Sequence, residues 1–331
     1  MKILIISDAW KPQVNGVVNS LNMTCIKLRE IGHKIEVIGP DKFKTFPCPS
    51  YPSIRLSFFP KKKLLSIINK YKPDSIHIAT EGPLGQAARK ICLDNKWRFT
   101  TSYHTQFPEY IKARIPIPLS ISYFFLKRFH SKAERTLVPT KSMAEKLKDK
   151  GFKNLIVWSR GVDKNIFKPS KVKSNNKRKK AVYFGRVSPE KNIEAFLNTN
   201  LDIEKMIIGD GPSLSKLKKE YPEVTFLGEK FGRELSKIVA ECDVFVFPSK
   251  SDTFGLVIIE ALACGVPVAA YPVTGPKDII KHKVNGYLSD NLDKAIVGAL
   301  KINRNNCIQE SMKYSWDNCS KQFESSLSLI N

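Results

Sequence analysis

The sequence predicts an α/β protein made of two doubly wound, Rossmann-like parallel-sheet domains set in tandem and facing a cleft. Three observations carry this. Short apolar runs alternate with helical patterns along the whole chain, the signature of parallel strands joined by crossover helices. The rhythm restarts after Arg160. The chain has 331 residues, 42% of them hydrophobic, which supplies core for two domains at roughly 100–200 residues each.

Lys2–Ile6 opens with an unbroken apolar run, as expected of a strand covered on both faces. Gly16–Ile31 follows with helical periodicity, then a strand at Lys34–Ile38, a helix at Lys61–Lys70 and a strand at Ser75–Ile78. A helix at Gly85–Asp94, strands at Phe99–Tyr103 and Thr136–Val138, and a helix at Lys141–Lys150 complete the first half. Lys168–Lys180 is polar and turn-rich without an apolar period, and reads as a solvated loop near the domain boundary. Beyond it, strands are expected at Ala181–Phe184, Lys205–Ile208, Val224–Leu227, Val244–Phe247 and Pro267–Ala270. The expected domains are 1–160 and 161–310, with a C-terminal helix in 311–331 packing back on the first.

No apolar run approaches the roughly 18 residues of a spanning helix, and Asp8 interrupts Met1–Trp10 too early for a signal peptide. A cytoplasmic protein is expected. Its seven cysteines are odd in number and scattered, with neither a C-x-x-C pair nor zinc-ligand spacing, so neither a disulfide framework nor a metal site is expected. The net charge of +24 asks for an anionic partner: nucleic acid, anionic lipid or a phosphorylated substrate. Codon bias is the alternative, because only 12 of the 55 basic residues are arginine. Residues 1–160 nevertheless hold 29 basic and 11 acidic side chains, against 26 and 20 in the remainder, a concentration that favours a functional basic face in the first half.

The strongest chemical segment is Pro248–Pro267, a buried strand running through a small polar loop into an apolar helix that stops at Gly265. The backbone N–H groups of Thr253, Phe254 and Gly255 at that helix start suit a phosphate. Asp252 and Glu260 flank it as two carboxylates that could accept hydrogen bonds from sugar hydroxyls; an N-capping Asp and a solvent-facing Glu are the alternative. Phe184–Ile193 carries Arg186 and Lys191 around a turn, two cations suited to a pyrophosphate or simply to a solvated loop. Gly209-Asp210-Gly211-Pro212 ends the next strand, where the glycines would let a nucleotide approach the backbone or form an ordinary turn. In the first half Asn15-Gly16 begins the first helix without a G-x-G-x-x-G pattern, and His104 sits just past a buried strand, as a functional or a structural histidine.

Together these segments resemble the retaining GT-B glycosyltransferases of glycosyltransferase family 4, in the branch of bacterial glycolipid synthases and α-mannosyltransferases. The likeness spans nearly the whole chain: the Pro12–Gly16 loop, the histidine segment, Arg160-Gly-Val-Asp163, Gly-Arg-x-x-x-x-Lys, Gly-Asp-Gly-Pro and the acidic pair. The resemblance implies that Arg186 and Lys191 neutralise the leaving diphosphate and that Glu260 binds the donor ribose. It implies that Asp252, with the Thr253–Gly255 backbone, holds the donor sugar and β-phosphate, with Gly16, Gly209 and Asp210 also at the donor. His104 would touch the donor sugar near the reacting centre. The family's usual acidic pair is E-x₇-E, whereas Asp252 is one methylene shorter. No cofactor or metal is expected, the cations and helix N-terminus stabilising the departing diphosphate.

For the acceptor, Tyr110–His130 is aromatic and apolar with cations at its edges, including Tyr123, Phe124, Phe125, Lys127 and Arg128. Lys61, Lys62 and Lys63 open a basic amphipathic helix. Such segments suit the surface of an anionic membrane, or else are core helices with snorkelling lysines. The expected activity is therefore transfer of a hexose or hexuronic acid from a nucleotide sugar, UDP-linked, to a membrane lipid such as diacylglycerol, at the cytoplasmic face. GDP-mannose-dependent transfer to a lipid-linked or soluble glycan is the alternative. A nucleic-acid-binding protein is a remote one, since no helix-turn-helix, RRM or zinc signature is present.

Overall fold

The computed structural model describes residues 1–13, 15–48, 51–112, 117–170 and 178–331. Residues 171–177 of the polar boundary segment, 113–116 of the aromatic segment and Val14 of the first loop lie outside the described residues. The chain forms two compact units, Met1–Arg160 with Trp316–Asn331, and Gly161–Ser315.

The first unit runs β1 (Lys2–Ile6), α1 (Gly16–Glu30), β2 (Lys34–Ile38), β3 (Thr45–Cys48), β4 (Tyr51–Ser57), α2 (Lys61–Tyr71), β5 (Ser75–Ile78) and α3 (Pro83–Asp94). It continues with β6 (Thr100–Ser102), α4 (Phe107–Lys112), α5 (Leu119–His130), β7 (Arg135–Val138), α6 (Lys141–Asp149) and β8 (Leu155–Val157). Its sheet has the order β2-β1-β5-β6-β7-β8, parallel throughout. Ile3–Ile6 are fully buried, as helices on both faces require. Asn15 begins α1 by accepting from the Val17 and Val18 N–H groups at 3.0 Å each. Asp8, at the end of β1, reaches across to α3 and accepts from Leu84 N (2.8 Å), Gly85 N (3.2 Å) and Thr80 Oγ1 (2.9 Å). That cap fixes the loops on either side of the β1–β5 switch point.

The antiparallel β3–β4 hairpin was not expected, because Pro47, Pro49 and Pro52 make its sequence read as loop; an edge hairpin tolerates prolines that a central strand would not. β8 was missed for its brevity.

The second unit runs β9 (Lys180–Phe184), α7 (Ile193–Leu197), β10 (Glu204–Ile208), α8 (Leu214–Glu220), β11 (Thr225–Phe226), α9 (Gly232–Ala240) and β12 (Val244–Phe247). Then come α10 (Leu256–Ala263), β13 (Val268–Ala270), α11 (Pro276–Ile279), β14 (Gly286–Leu288), α12 (Leu292–Ala299) and α13 (Arg304–Ser311). Its parallel sheet, β11-β10-β9-β12-β13-β14, reverses direction of growth between β9 and β12. Strand alternation divides its core: Val182, Phe184, Phe245 and Phe247 pack with Val239, Ile258 and Leu262 on one face. Ala181, Tyr183, Val244 and Val246 pack with Phe196, Leu217 and Ile296 on the other.

The last helix, α14 (Trp316–Ser326), belongs to the first unit, where it packs on α1. Trp158 Nε1 donates to the Cys319 carbonyl (3.0 Å), and His33 Nε2 lies 2.8 Å from Glu324 Oε1. Past it, the Ile330 N–H donates to Asp74 O (3.0 Å) and the Arg98 N–H to Ile330 O (2.9 Å). Among the described residues no helix is long and apolar enough to cross a membrane.

Candidate active site

In an open parallel sheet, ligands bind beyond the carboxyl ends of the two strands where the strand order reverses. In the second unit those strands are β9 and β12, and the segments leaving them are Gly185–Asn192 and Pro248–Gly255. The two are stitched together. Asn192 Nδ2 donates to Pro248 O (3.1 Å), while the Ser249 and Ser251 hydroxyls reach Glu190 O at 3.4 and 3.5 Å. Tyr183, rising from β9, donates its hydroxyl to Arg186 O (2.6 Å) and holds the start of the Arg186 loop. At the centre Lys191 Nζ lies 2.6 Å from Asp252 Oδ1, with the two side chains only 18% and 16% exposed. The resemblance assigned Lys191 to the diphosphate and Asp252, with the Thr253–Gly255 backbone, to the sugar and β-phosphate; here the two side chains pair directly.

Gly209 and Gly211 have a reason different from the one the sequence suggested. A Cβ on Gly209 would stand 1.9 Å from Gly185 O, and one on Gly211 would stand 2.2 Å from Val187 O. Both glycines also adopt positive φ. Their smallness lets the β10 loop press its backbone on the Arg186 loop, an approach of protein to protein. Asp210, between them, is exposed and accepts from Gly211 N (2.7 Å).

Gly255, at φ +91°, turns the chain into α10, whose first-turn N–H groups lack intrahelical acceptors. The Phe254 side chain is buried in the core and packs edge-on against Tyr314, so that only its backbone, the part the sequence assigned to a phosphate, is left for a ligand. Thr253, between Asp252 and Phe254, is partly exposed. Gly275 packs over this loop, where a Cβ would meet Asp252 O and Phe254 O at 3.0 Å each. Glu260 lies in the second turn of α10, partly buried and, among the described residues, with no protein hydrogen bond to its carboxylate. Burial pushes its pKa up from the ordinary 4.5 to about 7.

In the first unit Gly16 is the exposed first residue of α1. His104 follows β6, its ring edge-on to Trp158, and its Nδ1 lies 3.3 Å from Arg160 Nη2. A guanidinium only donates, so Nδ1 accepts and the imidazole proton is assigned to Nε2. Burial first, and then the charge of Arg160, hold the His104 pKa well below its usual range, so the ring is neutral. Arg160 is buried, lies over the Trp158 ring at 4.2 Å and donates to Trp158 O (2.6 Å) and Ser159 O (2.9 Å). Sequence reading noticed Arg160 only within the resemblance; its role as partner of His104 has no local signal.

The suggested membrane residues divide. Phe124 and Phe125 on α5 are 62% and 63% exposed, with Lys127 and Arg128 exposed beside them. Tyr123 is a correction: it points inward, buried, and donates its hydroxyl to Glu109 Oε1 (2.8 Å), which also pairs with Lys146 Nζ at 2.6 Å. Lys61, Lys62 and Lys63 are exposed at the start of α2. Lys61 pairs with Asp94 (2.9 Å) and Lys63 donates to Lys42 O, whereas Lys62 has no such partner among the described residues. Among the described residues no cluster of three or more His, Cys, Asp or Glu is placed to hold a metal ion.

Two family descriptions match the chain: Glycosyltransferase Family 4 over residues 14–165 and Glycosyl transferases group 1 over residues 164–305. A GDP-mannose-dependent alpha-mannosyltransferase of Corynebacterium glutamicum is 32% identical over 88% of this chain and 78% of its own length. The sulfoquinovosyl transferase SQD2 of Arabidopsis thaliana is 32% identical over 82% of this chain and 60% of its own. The alpha-monoglucosyldiacylglycerol synthase of Streptococcus pneumoniae is 27% identical over 91% and 78%. Among solved structures, HepE of Anabaena in complex with UDP superposes with a TM-score of 0.74 over 98% of this chain and 99% of that one, at 17% identity, a likeness of fold. With relatives this similar over most of both chains, the protein belongs to the family 4 glycosyltransferases of GT-B fold, enzymes that take a sugar from a nucleotide-sugar donor.

Proposed function

We propose that the enzyme transfers a hexose or hexuronic acid, with retention of configuration, from a UDP-sugar to diacylglycerol at the surface of an anionic membrane. The observation that carries the lipid acceptor is the outer face of α5, where Phe124 and Phe125 stand more than half exposed beside Lys127 and Arg128. Aromatic rings with flanking cations suit the interface between headgroups and acyl chains. Two relatives carry alpha-monoglucosyldiacylglycerol synthase as their name, in keeping with this reading.

In the donor half, the ribose hydroxyls donate to Glu260, and the diphosphate lies between Lys191, Arg186 and the N-terminal N–H groups of α10. As Lys191 turns to the diphosphate, Asp252 exchanges that cation for a hydroxyl of the donor sugar. The His104 Nε2–H donates to a sugar oxygen. The acceptor hydroxyl attacks the anomeric carbon on the face the diphosphate leaves; the new C–O bond forms as the old one breaks, and the hydroxyl proton passes to the departing phosphate oxygen. Arg186, Lys191 and the helix N-terminus stabilise that developing charge.

A second reading, transfer of mannose from GDP-mannose, is favoured by three relatives named as GDP-mannose-dependent alpha-mannosyltransferases, at 29–32% identity. Transfer assayed with UDP-glucose, UDP-glucuronate, UDP-galactose and GDP-mannose, each with and without diacylglycerol vesicles, separates the two. Lipid product from a UDP-sugar supports the first; product from GDP-mannose alone replaces it with the second.

A further inference from the structure

The β3–β4 hairpin and its exit to α2 carry three aromatic rings that the fold does not bury. Phe46, Phe58 and Phe59 are 41%, 57% and 84% exposed. They touch one another: the Phe58 and Phe59 centroids are 4.3 Å apart, and those of Phe46 and Phe58 are 6.4 Å apart, edge-on. Phe59 is held at φ +43°, a left-handed conformation that is costly for a bulky side chain and that here turns an aromatic ring toward solvent.

The same segments carry Lys44, whose carbonyl accepts from Phe58 N, Arg55, paired across the hairpin with Pro47, and Lys62 and Lys63 just past Phe59, all exposed and none with a carboxylate partner among the described residues. Lys62 and Lys63 also occupy the first turn of α2, where the helix dipole disfavours cations. A nearby anion would remove both that local repulsion and the unneutralised charge, so charge and shape ask for the same occupant.

We infer that Phe46, Phe58 and Phe59 form a wedge that inserts into the headgroup region of an anionic bilayer, with the four cations meeting lipid phosphates around it. The inference deepens the lipid-acceptor reading and rests on it for its purpose, since the wedge would hold the enzyme where its acceptor lies. It assigns the insertion to the hairpin, apart from α5.

The test uses the full-length protein and vesicles of phosphatidylcholine with and without 30% phosphatidylglycerol. Phe58→Ala with Phe59→Ala should lower partitioning onto the anionic vesicles by more than about tenfold, because exposed aromatic area drives the insertion. Phe59→Trp should shift its emission to the blue on binding and be quenched by lipids brominated near the headgroup. Unchanged partitioning of the double variant, or an unquenched Trp, overturns the wedge. So does sedimentation showing that the rings instead hold two copies of the chain together without vesicles. Transfer to a dispersed short-chain diacylglycerol separates this from the reading beneath it. If the double variant keeps that transfer while losing vesicle binding, both stand. If wild type binds vesicles through Phe59 yet glycosylates no diacylglycerol, the acceptor reading falls and the wedge remains.

Discussion

Glu260 offers a prediction that does not depend on knowing the acceptor. Burial raises its pKa from 4.5 to about 7, so in the free enzyme the carboxyl is about half protonated at neutral pH. A ribose that donates hydroxyl hydrogen bonds favours the ionised form and pulls the pKa back down. Binding therefore expels a proton wherever the free enzyme holds one: about 0.9 proton at pH 6, about 0.5 at pH 7 and about 0.1 at pH 8. Donor affinity should rise about tenfold from pH 6 to pH 8 and level off above. A return to the ordinary carboxylate range would be worth about 3 kcal/mol at most. Without ligand the sign reverses for stability: the folded state binds more protons than the unfolded one between pH 4.5 and about 7, so stability falls as pH rises through that window. Calorimetric titration of UDP-glucose and GDP-mannose, whose diphosphate diesters do not titrate there, in two buffers of different ionisation enthalpy, measures the released protons directly. Glu260→Gln should bind about 10–100-fold more weakly, having lost a charged acceptor, and release none. A wild type that releases no proton at pH 6, or a Gln variant that releases as many, would refute the ribose assignment.

Lys191→Ala should abolish transfer while the melting temperature moves by only a few degrees, since its ion pair joins two loops outside the hydrophobic core; near wild-type turnover would contradict its place at the diphosphate. His104→Ala should lower kcat and leave donor affinity almost unchanged, and calorimetry that finds only weakened donor binding would argue against a contact at the reacting centre. Arg160→Met should raise the His104 pKa without restoring it fully, because burial is the larger cause; NMR titration of the ring reads this out, and an unmoved pKa would show that the Arg160 contact does not act on it. Gly209→Ala places a methyl 1.9 Å from Gly185 O and should destabilise by about 3 kcal/mol or more, seen as a lower melting temperature together with weakened donor binding.

The central strands Lys2–Ile6, Ser75–Ile78 and Val244–Phe247 were legible because burial on both faces writes them as short, largely apolar runs, and the edge strand Lys34–Ile38 also lies where the pattern put it. Strands β8 and β14 are three residues long, too short to hold a period, and the prolines of the hairpin spoke against it; the two-residue β11 lies within the strand expected at Val224–Leu227. In the site, the strand exits could be read because cations, carboxylates and glycines cluster there for reasons other than core packing. Their mutual distances could not: Lys191 and Asp252 are 61 residues apart, and nothing local brings them to 2.6 Å. Tyr123 was decipherable in hindsight. Ser122, Tyr123, Phe129 and His130 share the buried side of α5 at helical spacing, which leaves Phe124 and Phe125 outside.

The placement of Trp316–Asn331 in the first unit bears on how the chain is made. Ser75 bridges to Leu329, and α1 packs on α14, across a stretch of sequence that contains all of Gly161–Ser315. A ribosome delivers the second unit whole while the first still lacks its closing helix, so Gly161–Ser315 can complete its fold earlier although it is encoded later. Until Trp316 and the residues after it emerge, Thr24 of α1, which meets Cys319, and the rings of His77 and Trp158, which pack on Phe323, have an incomplete cover. The nascent first unit therefore has a built-in interval of exposure, the period in which a chaperone or a neighbouring nascent chain would find it.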